Sequence, residues 1–263
     1  MSRLGPALAL AALLLMEAAP ARAADWREEA RVAWERAYVM LPVARDRLIG
    51  GRMGDALVRE ELAGLDPGRR LPAVLYIHGC SGLVPGNFDY MNLLAEAGHA
   101  VIAPDSFARP GRPKTCDPRR HRGIPGAPFA RVAAMRQEEI AYSQERLRDL
   151  AWVDHERVFL MGHSQGGGAA AAYPNGGFRG VIVSGSTCQY GMNAPEGTPL
   201  LALYSENDPW RGRRSPRGCA DWGRVYNRPI EFHLFPGDAH NLAGDARARA
   251  LILDFLKRRS APR

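Results

Sequence analysis

The serine of the G-H-S-Q-G segment at 162–166, Ser164, is the residue whose setting best suits chemistry. An apolar run at 158–161 precedes the segment and has no helical period, which predicts a buried strand. Glycines and alanines at 167–172 follow and predict a helix. A G-x-S-x-G motif between a strand and a helix is typical of a sharp turn that exposes a nucleophilic serine oxygen. The alternative is a glycine-rich turn that only packs the helix against the strand.

The residue types around Ser164 fit that turn. Positions 162 and 166 are glycines, as expected where neighbouring backbone leaves no space for a side chain. The backbone N–H of Gln165 would then point toward an oxyanion formed next to the serine. This predicts Gln165 as one donor of an oxyanion hole.

An acid and a histidine follow Ser164 in the chain, each just after a predicted strand. Asp208 lies beyond the apolar run at 199–204, and His240 lies beyond the run at 230–235. In this arrangement His240 takes the serine proton, and Asp208 fixes the tautomer of the imidazole and stabilises its charged form. Glu206 is the rival acid because it is only two positions from Asp208.

The second oxyanion donor is predicted in the H-G-C-S-G segment at 78–82, which follows the first predicted strand of the alternating pattern. Small residues there allow backbone amides to face the site. The N–H of Cys80 is the predicted donor, with that of Ser81 as the alternative. Cys80 could instead be a nucleophile itself, but it has no histidine base in a recognisable constellation.

The elements that must position these residues alternate along the chain. Strands are predicted at 71–77, 100–104, 158–161, 178–184, 199–204 and 230–235. Helices are predicted at 87–97, across 132–150, after the serine and at the C-terminal end. Such alternation predicts an α/β fold with a mostly parallel central sheet and helices on both faces.

The region before this pattern is less regular. A stripe of tryptophans, alanines and other apolar residues predicts a helix over 26–47 that ends at the glycines of 50–51. Residues 52–65 fit either a short helix or an edge hairpin.

The first 23 residues predict a signal peptide. Arg3 precedes an apolar stretch at 4–16, and an A-R-A segment at 21–23 fits a cleavage site. The apolar stretch is too short to span a bilayer as a helix, which favours export over membrane insertion. Residues 24–263 are then expected to form a single domain in a periplasmic or secreted protein.

Cysteine usage agrees with export. The four cysteines form no C-x-x-C pair and have no histidine at ligand spacing, so neither a metal site nor another cofactor is predicted. Disulfides are expected instead. Pairing of Cys80 with Cys116 and of Cys188 with Cys219 is predicted, because each pair joins loops that follow consecutive strands.

The chain is basic, with a formal net charge of +7. Arginine-rich loops at 109–122 and 210–217 could be solvated surface, or could form a positive rim that attracts an anionic substrate. Arg213, Arg214 and Arg217 are the candidates in the second loop. Nucleic acid is not expected as a partner, since no stacking platform or recognition motif accompanies these arginines.

Taken together, these segments resemble the α/β-hydrolase superfamily and, within it, the dienelactone hydrolase family. The resemblance spans about 71–257 and rests on the loop at 78–80, the A-P-D-S-F segment at 103–107, the turn at Ser164, and the positions of Asp208 and His240. Members of that family typically carry cysteine where this chain has Ser164. The serine favours a more general ester or lactone substrate.

The resemblance implies a serine hydrolase that forms an acyl-enzyme on Ser164 and acts on a small acyl substrate without a cofactor. Export is expected from the N-terminal segment and not from the resemblance. An amidase or peptidase could use the same three residues. A catalytically silent binding module is the alternative of a different class, although such modules usually lack one of the three. The sequence does not indicate an oligomeric state.

Overall fold

The computed structural model describes residues 25–44, 46–66, 68–116, 129–210 and 218–261. Its centre is one eight-stranded sheet in the order β2-β1-β4-β3-β5-β6-β7-β8. The strands are β1 (Tyr38–Ala44), β2 (Arg47–Arg52), β3 (Leu71–Ile77), β4 (Ala100–Ala103), β5 (Val153–His163), β6 (Val181–Ser184), β7 (Leu200–Ser205) and β8 (Ile230–Phe235). The helices are α1 (Trp26–Glu35), α2 (Ala56–Ala63), α3 (Pro85–Glu96), α4 (Phe129–Leu147), α5 (Gln165–Ala171), α6 (Cys219–Val225) and α7 (Ala246–Ser260), with a 3₁₀ turn at Ser106–Ala108.

Strands β3 to β8 are parallel, and only β1 runs antiparallel to its neighbours β2 and β4. The carboxyl ends of the parallel strands therefore meet at one edge, which is where such sheets present functional loops. The predicted fold class, a mostly parallel sheet between helices, is confirmed.

Two hydrophobic cores lie on the two faces of this sheet. Alternate side chains of β3 point to opposite faces, with Leu75 in one core and Tyr76 in the other. The first core packs the sheet against α1, α4, α5 and α6, and the second packs it against α3 and α7. Both faces are buried, which explains why the parallel strands form continuous apolar runs in the sequence.

The predicted helix over 26–47 is wrong beyond its first ten residues. Helix α1 ends at Glu35, and residues from Tyr38 onward form β1, which is buried over five consecutive positions. The segment Y-V-M-L-P-V is rich in β-branched and aromatic residues and includes a proline, all of which disfavour a helix interior. Apolar residues of β1 fall at the helical spacing set by α1, so the apolar stripe in the sequence extended past the end of the helix.

The remaining differences are smaller. Residues 52–65, left open between a helix and a hairpin, contain helix α2, and the sixth helix, α6, was not anticipated. Most other bounds agree within a few residues, and β3 and β8 match as predicted. Every helix in the described part of the chain is too short or too polar to cross a bilayer.

His99 is buried between α3 and β4. Its ring packs edge-on against Phe159, with centroids 5.9 Å apart, and it is 7% exposed. Within the described residues neither ring nitrogen has a hydrogen-bond partner. Burial therefore disfavours the charged imidazolium and lowers the pKa of His99 to about 4.

Replacing His99 by glutamine should make the free energy of unfolding depend less steeply on pH between pH 7 and pH 4. The unfolded chain protonates His99 near its ordinary pKa of about 6.5, whereas the folded chain keeps it neutral. The stability that neutral His99 contributes is thus fully present above about pH 6.5, and it is lost as the pH falls toward about 4. That loss is at most about 3 kcal/mol.

The measurement is the free energy of unfolding by urea between pH 7 and pH 4. His155→Gln is the matched control, because His155 is exposed. A slope unchanged in His99→Gln, or changed equally in both variants, would contradict this account of His99. The absolute stability of His99→Gln is not the readout, since a buried amide destabilises the core at every pH.

Candidate active site

Ser164 lies at the turn between β5 and α5, with a backbone conformation of φ 55° and ψ −121°. This left-handed φ is strained for a residue with a side chain and is typical of functional turns. The turn is held by a hydrogen bond from the Ser164 N–H to the Ser184 carbonyl oxygen, at 2.8 Å. The predicted strand–turn–helix context of Ser164 is thus present in the structure.

The two motif glycines have a steric reason. A Cβ at Gly162 would lie 2.1 Å from the carbonyl oxygen of Gly166, and one at Gly166 would lie 2.0 Å from that of Ile77. Both contacts are with backbone, which has little freedom to move. Helix α5 can therefore approach β3 and β5 closely enough to form the turn only with glycine at both positions.

A continuous hydrogen-bonded chain joins Ser164, His240 and Asp208. His240 Nε2 lies 2.8 Å from Ser164 Oγ, and His240 Nδ1 lies 2.8 Å from Asp208 Oδ2. The Asp208 side chain is fully buried, whereas that of His240 is 22% exposed. The three residues that the sequence singled out meet at the carboxyl edge of the sheet, although Ser164 and His240 are 76 positions apart in the chain.

Local hydrogen bonds fix the loops that carry the acid and the histidine. Ser205 Oγ donates to the Ala239 carbonyl oxygen at 2.6 Å, which ties the end of β7 to the residue before His240. The backbone N–H of Trp210 donates to Asp208 Oδ1 at 2.8 Å. One carboxylate oxygen of Asp208 is therefore held by the backbone and the other by His240.

The structure brings Asp208, and not Glu206, to the histidine. Glu206 and Asp238 are both exposed, while Asp208 is 3% exposed. The Glu206 backbone N–H donates to the Phe235 carbonyl oxygen, so this residue continues the pairing of β7 with β8. Both acids lie beyond the end of β7, and the Asp208 N–H donates to the Ser205 carbonyl oxygen, so a turn gives the two side chains different directions.

His163 packs against His240, with the two ring centroids 5.0 Å apart. Burial, and secondarily the neighbouring His240, lower the pKa of His163 to about 3. His163 is therefore neutral at ordinary pH and leaves His240 free to accept a proton beside it. Burial also lowers the pKa of His78, which is fully inside the protein.

The loop after β3 lies against the turn at Ser164. A Cβ at Gly79 would stand 3.2 Å from Ser164 Cβ, so the backbone of Gly79 passes directly beside the serine. Gln165 is the first residue of α5, and the N–H groups of a first helical turn have no acceptor within the helix. Gly79, which precedes Cys80, and Gln165 thus flank Ser164.

Both predicted disulfides are present. Cys80 bonds to Cys116 and Cys188 bonds to Cys219, with Cα–Cα distances of 5.4 Å and 5.0 Å. The first tethers the β3 loop to the segment after β4, and the second joins the loop after β6 to the start of α6. Because Cys80 is in a disulfide, it offers no free thiol as a nucleophile.

Sequence reasoning missed a buried polar network behind Gln165. Arg112 Nη2 donates to Gln165 Oε1 at 2.8 Å, and Gln165 Nε2 donates to Thr115 Oγ1 at 2.9 Å. The guanidinium of Arg112 also lies 5.0 Å from the centroid of the Phe107 ring. Burial lowers the pKa of Arg112 to about 10, which still leaves it charged at neutral pH.

The network continues away from the serine. Ser106 Oγ accepts from Arg112 Nε and donates to Glu139 Oε1, and Arg136 pairs with Glu139 at 2.8 Å. Arg136 also donates to the His78 carbonyl oxygen at 2.7 Å. This layer fixes both flanks of Ser164, the β3 loop through His78 and the start of α5 through Gln165.

The predicted positive rim is wrong for the arginines that begin the first loop. Arg109 and Arg112 are 3% and 8% exposed, and Arg109 pairs with Glu29 and Glu138 in the interior. Their proximity in sequence to proline and glycine suggested an exposed loop, but these carboxylates come from α1 and α4. Arg213, Arg214 and Arg217 lie outside the described residues.

The sequence of this chain matches a known protein family. The model of the dienelactone hydrolase family matches residues 61–255, which is most of the chain. The chain belongs to the dienelactone hydrolase family. No curated protein sequence matches it.

Solved structures share the fold. A thermophilic esterase from the planctomycete Thermogutta terrifontis, solved with butyrate bound, aligns with a TM-score of 0.52 at 16% identity, over 76% of this chain and 88% of its own. A phospholipase/carboxylesterase from Dyadobacter fermentans aligns with 0.50 at 17% identity, over 74% and 93%.

The Pyrococcus horikoshii acylaminoacyl peptidase also aligns, with a TM-score of 0.52 at 15% identity, over 74% of this chain. This chain spans only 38% of the length of that peptidase. At these identities the likeness concerns the fold, which is that of the α/β-hydrolases. Membership of the dienelactone hydrolase family makes the protein a hydrolase.

Substituting alanine for Gly166 should impair both the site and the fold of this family member. The new Cβ would meet backbone of β3 at 2.0 Å, so helix α5 must move. We expect a loss of about 1–3 kcal/mol in the free energy of unfolding. We also expect a fall of about 10²-fold in kcat/KM for an ester, because a displacement of the nucleophile by about 1 Å has an effect of that size.

Gly244→Ala is the matched control, since no heavy atom lies within 4 Å of a Cβ there. It should change neither quantity. Equal activity in the two variants would show that the close approach of α5 to β3 is not needed for the site.

Proposed function

We propose that this family member hydrolyses ester or lactone bonds of small acyl substrates through an acyl-enzyme on Ser164. The observation that carries the proposal is the hydrogen-bonded chain from Ser164 through His240 to Asp208, with 2.8 Å at both links. A serine, a base and a buried acid in that order are the parts required for nucleophilic acyl transfer.

The first half of the reaction forms the acyl-enzyme. In the tautomer with its proton on Nδ1, His240 donates to Asp208 and accepts the Ser164 hydroxyl proton at Nε2. The freed Oγ bonds to the substrate carbonyl carbon, and the carbonyl oxygen becomes an oxyanion. The bond to the leaving oxygen then breaks as His240 Nε2 returns its proton to that oxygen.

The second half repeats these steps with water. Water gives a proton to His240 Nε2 as its oxygen bonds to the acyl carbon, and the acid product leaves when the proton returns to Ser164 Oγ. Asp208 keeps its charge throughout, and its full burial strengthens its interaction with the imidazolium. Of the three residues, only Ser164 and His240 change their protonation state.

The oxyanion is stabilised in this proposal by the backbone N–H groups of Gln165 and Cys80. The start of α5 supports the choice of Gln165, because an N–H at a helix N-terminus is unsatisfied and lies in the positive end of the helix dipole. The close approach of Gly79, the residue before Cys80, to Ser164 supports the choice of Cys80. The tether to Cys116 keeps that backbone in position.

Amide or peptide hydrolysis is the competing activity, because the same three residues can perform it. The peptidases that share this fold are much longer, and the chain spans only 32% of dipeptidyl peptidase 4 from Porphyromonas gingivalis. The esterases of the same fold are close to this chain in length. This comparison favours an ester substrate.

Ser164→Ala, His240→Ala and Asp208→Asn should each reduce ester hydrolysis by about 10⁴-fold. Glu206→Gln is the matched control for the acid, since it changes an exposed carboxylate two positions away from the one that bonds to His240. It should keep near-normal turnover. The measurement is hydrolysis of a nitrophenyl ester and of the nitroanilide with the same acyl group, with the acylated peptide identified by mass spectrometry.

A faster rate on the anilide than on the ester would overturn the ester assignment. A Ser164→Ala variant with normal turnover, or an acyl group on another residue, would overturn the acyl-enzyme on Ser164. Circular dichroism of each variant separates loss of chemistry from loss of fold.

We also propose that the protein is exported to the periplasm or the medium. The two disulfides support this, because such bonds form and persist in oxidising compartments. The expected mature protein starts at Ala24 and lies outside the cytoplasm. N-terminal sequencing and cell fractionation of the producing cell measure both. Protein found in the cytoplasm with residues 1–23 attached would contradict export.

A further inference from the structure

Strand β8 forms one edge of the sheet and is unusually open to pairing. In the described part of the chain it pairs only with β7, over six residues and without a bulge. Its sequence I-E-F-H-L-F contains no proline, lysine or glycine, which are the residues that usually protect an edge. At the opposite edge, β2 carries two glycines and an arginine at each end.

The direction of the backbone groups of β8 follows from one hydrogen bond. The Glu206 N–H donates to the Phe235 carbonyl oxygen at 2.9 Å, so the backbone of Phe235 faces β7. Because backbone groups alternate along a strand, those of Ile230, Phe232 and Leu234 face outward. The edge therefore presents three outward N–H groups and three outward carbonyl groups.

The side chains of β8 divide between two faces. Ile230, Phe232 and Leu234 line a groove beside α6, and Leu234 is 36% exposed. Val225, the last residue of α6, and Tyr226 after it are exposed apolar residues, and their sequence neighbours Arg224 and Asn227 line that groove. Apolar surface and open backbone thus occur together at this edge.

The other face of β8 carries charge. Glu231 pairs with Arg258 of α7 at 2.8 Å and lies 3.3 Å from His233 Nε2. Glu231 and His233 are both partly exposed.

We propose that this edge binds a second copy of the chain, with the two β8 strands antiparallel and each Phe232 opposite its counterpart. In such a two-fold pairing, Ile230 stands opposite Leu234 of the partner subunit, and the paired strands form one continuous sheet. The three outward-facing residues on each strand allow about six backbone hydrogen bonds between the copies.

Side-chain complementarity specifies this register. One face then consists of apolar cross-strand pairs, and on the other face each Glu231 stands opposite the His233 of the second copy. Centring the pair on His233 would bring two histidines together and place Glu231 opposite an apolar residue. Centring it on Glu231 would oppose two carboxylates, which destabilises a sheet.

The same symmetry explains why a second copy fits better than an unrelated peptide. Apolar pairs on one face and Glu231–His233 pairs on the other both arise from a single two-fold operation on one strand. A C2 interface requires this kind of self-complementarity. The operation also directs the carboxyl ends of the two sheets in opposite directions, so each copy keeps its own open active site.

Cysteine cross-linking tests the register directly. In a hydrogen-bonded antiparallel pair, opposite Cα atoms are about 5.5 Å apart, which suits a disulfide. Phe232→Cys should therefore form a covalent dimer under mild oxidation. Leu234→Cys is the matched control, because its counterpart would lie four residues away along the partner strand and should not cross-link.

The association itself is measured by sedimentation equilibrium of the purified protein. His233→Glu should weaken dimerisation by about tenfold or more, since it places like charges opposite each other twice. The double variant Glu231→Lys with His233→Glu should restore it, because the opposite charges are then exchanged between positions. Ester hydrolysis should be unchanged in both, which shows that they fold.

Three results would overturn the proposal. One is a protein that stays monomeric across the concentration range, together with no cross-link in Phe232→Cys. Another is cross-linking of Leu234→Cys as efficient as that of Phe232→Cys, which indicates a different register. The third is dimerisation that is indifferent to both charge variants, which places the interface elsewhere.

Discussion

The position of the nucleophile depends on how closely helix α5 approaches strands β3 and β5. At Gly162 and Gly166 a Cβ would lie 2.1 Å and 2.0 Å from backbone oxygen atoms, so neither position accepts even a methyl group. This approach forces Ser164 into its left-handed conformation. The strain is maintained by the cores on both faces of the sheet, which prevent the helix from relaxing outward.

Charged residues in the interior support the same position from behind. Arg112, Arg136 and Glu139 are almost completely buried, and such charges are tolerable only when hydrogen bonds replace the lost water. Here those bonds end on the β3 loop and on the side chain of Gln165. The network therefore fixes the two segments that flank Ser164, and removing one partner would leave the others buried without compensation.

Local sequence was sufficient wherever one segment determines its own structure. The turn at Ser164, the buried parallel strands and the order of Asp208 and His240 all follow from apolar runs and their punctuation, and the pairing of cysteines follows from consecutive strands. The failures needed contacts distant in sequence. Strand β1 has its partners in β2 and β4, and Arg109 is buried because α1 and α4 supply carboxylates. The local sequence around β1 and around Arg109 contains no pattern that predicts these distant partners.

The two disulfides tether loops at the carboxyl edge of the sheet. Cys188 and Cys219 are buried in the first hydrophobic core, whereas Cys80 and Cys116 are partly exposed. Cross-links across separations of 36 and 31 residues restrict the unfolded chain and, on a loop-closure account, stabilise the fold by about 3–4 kcal/mol each. They also limit local movement. Cys80 and Cys188 lie in loops after β3 and β6, on either side of β5 in the sheet, so the strand that ends at Ser164 has a covalently tethered loop on each flank.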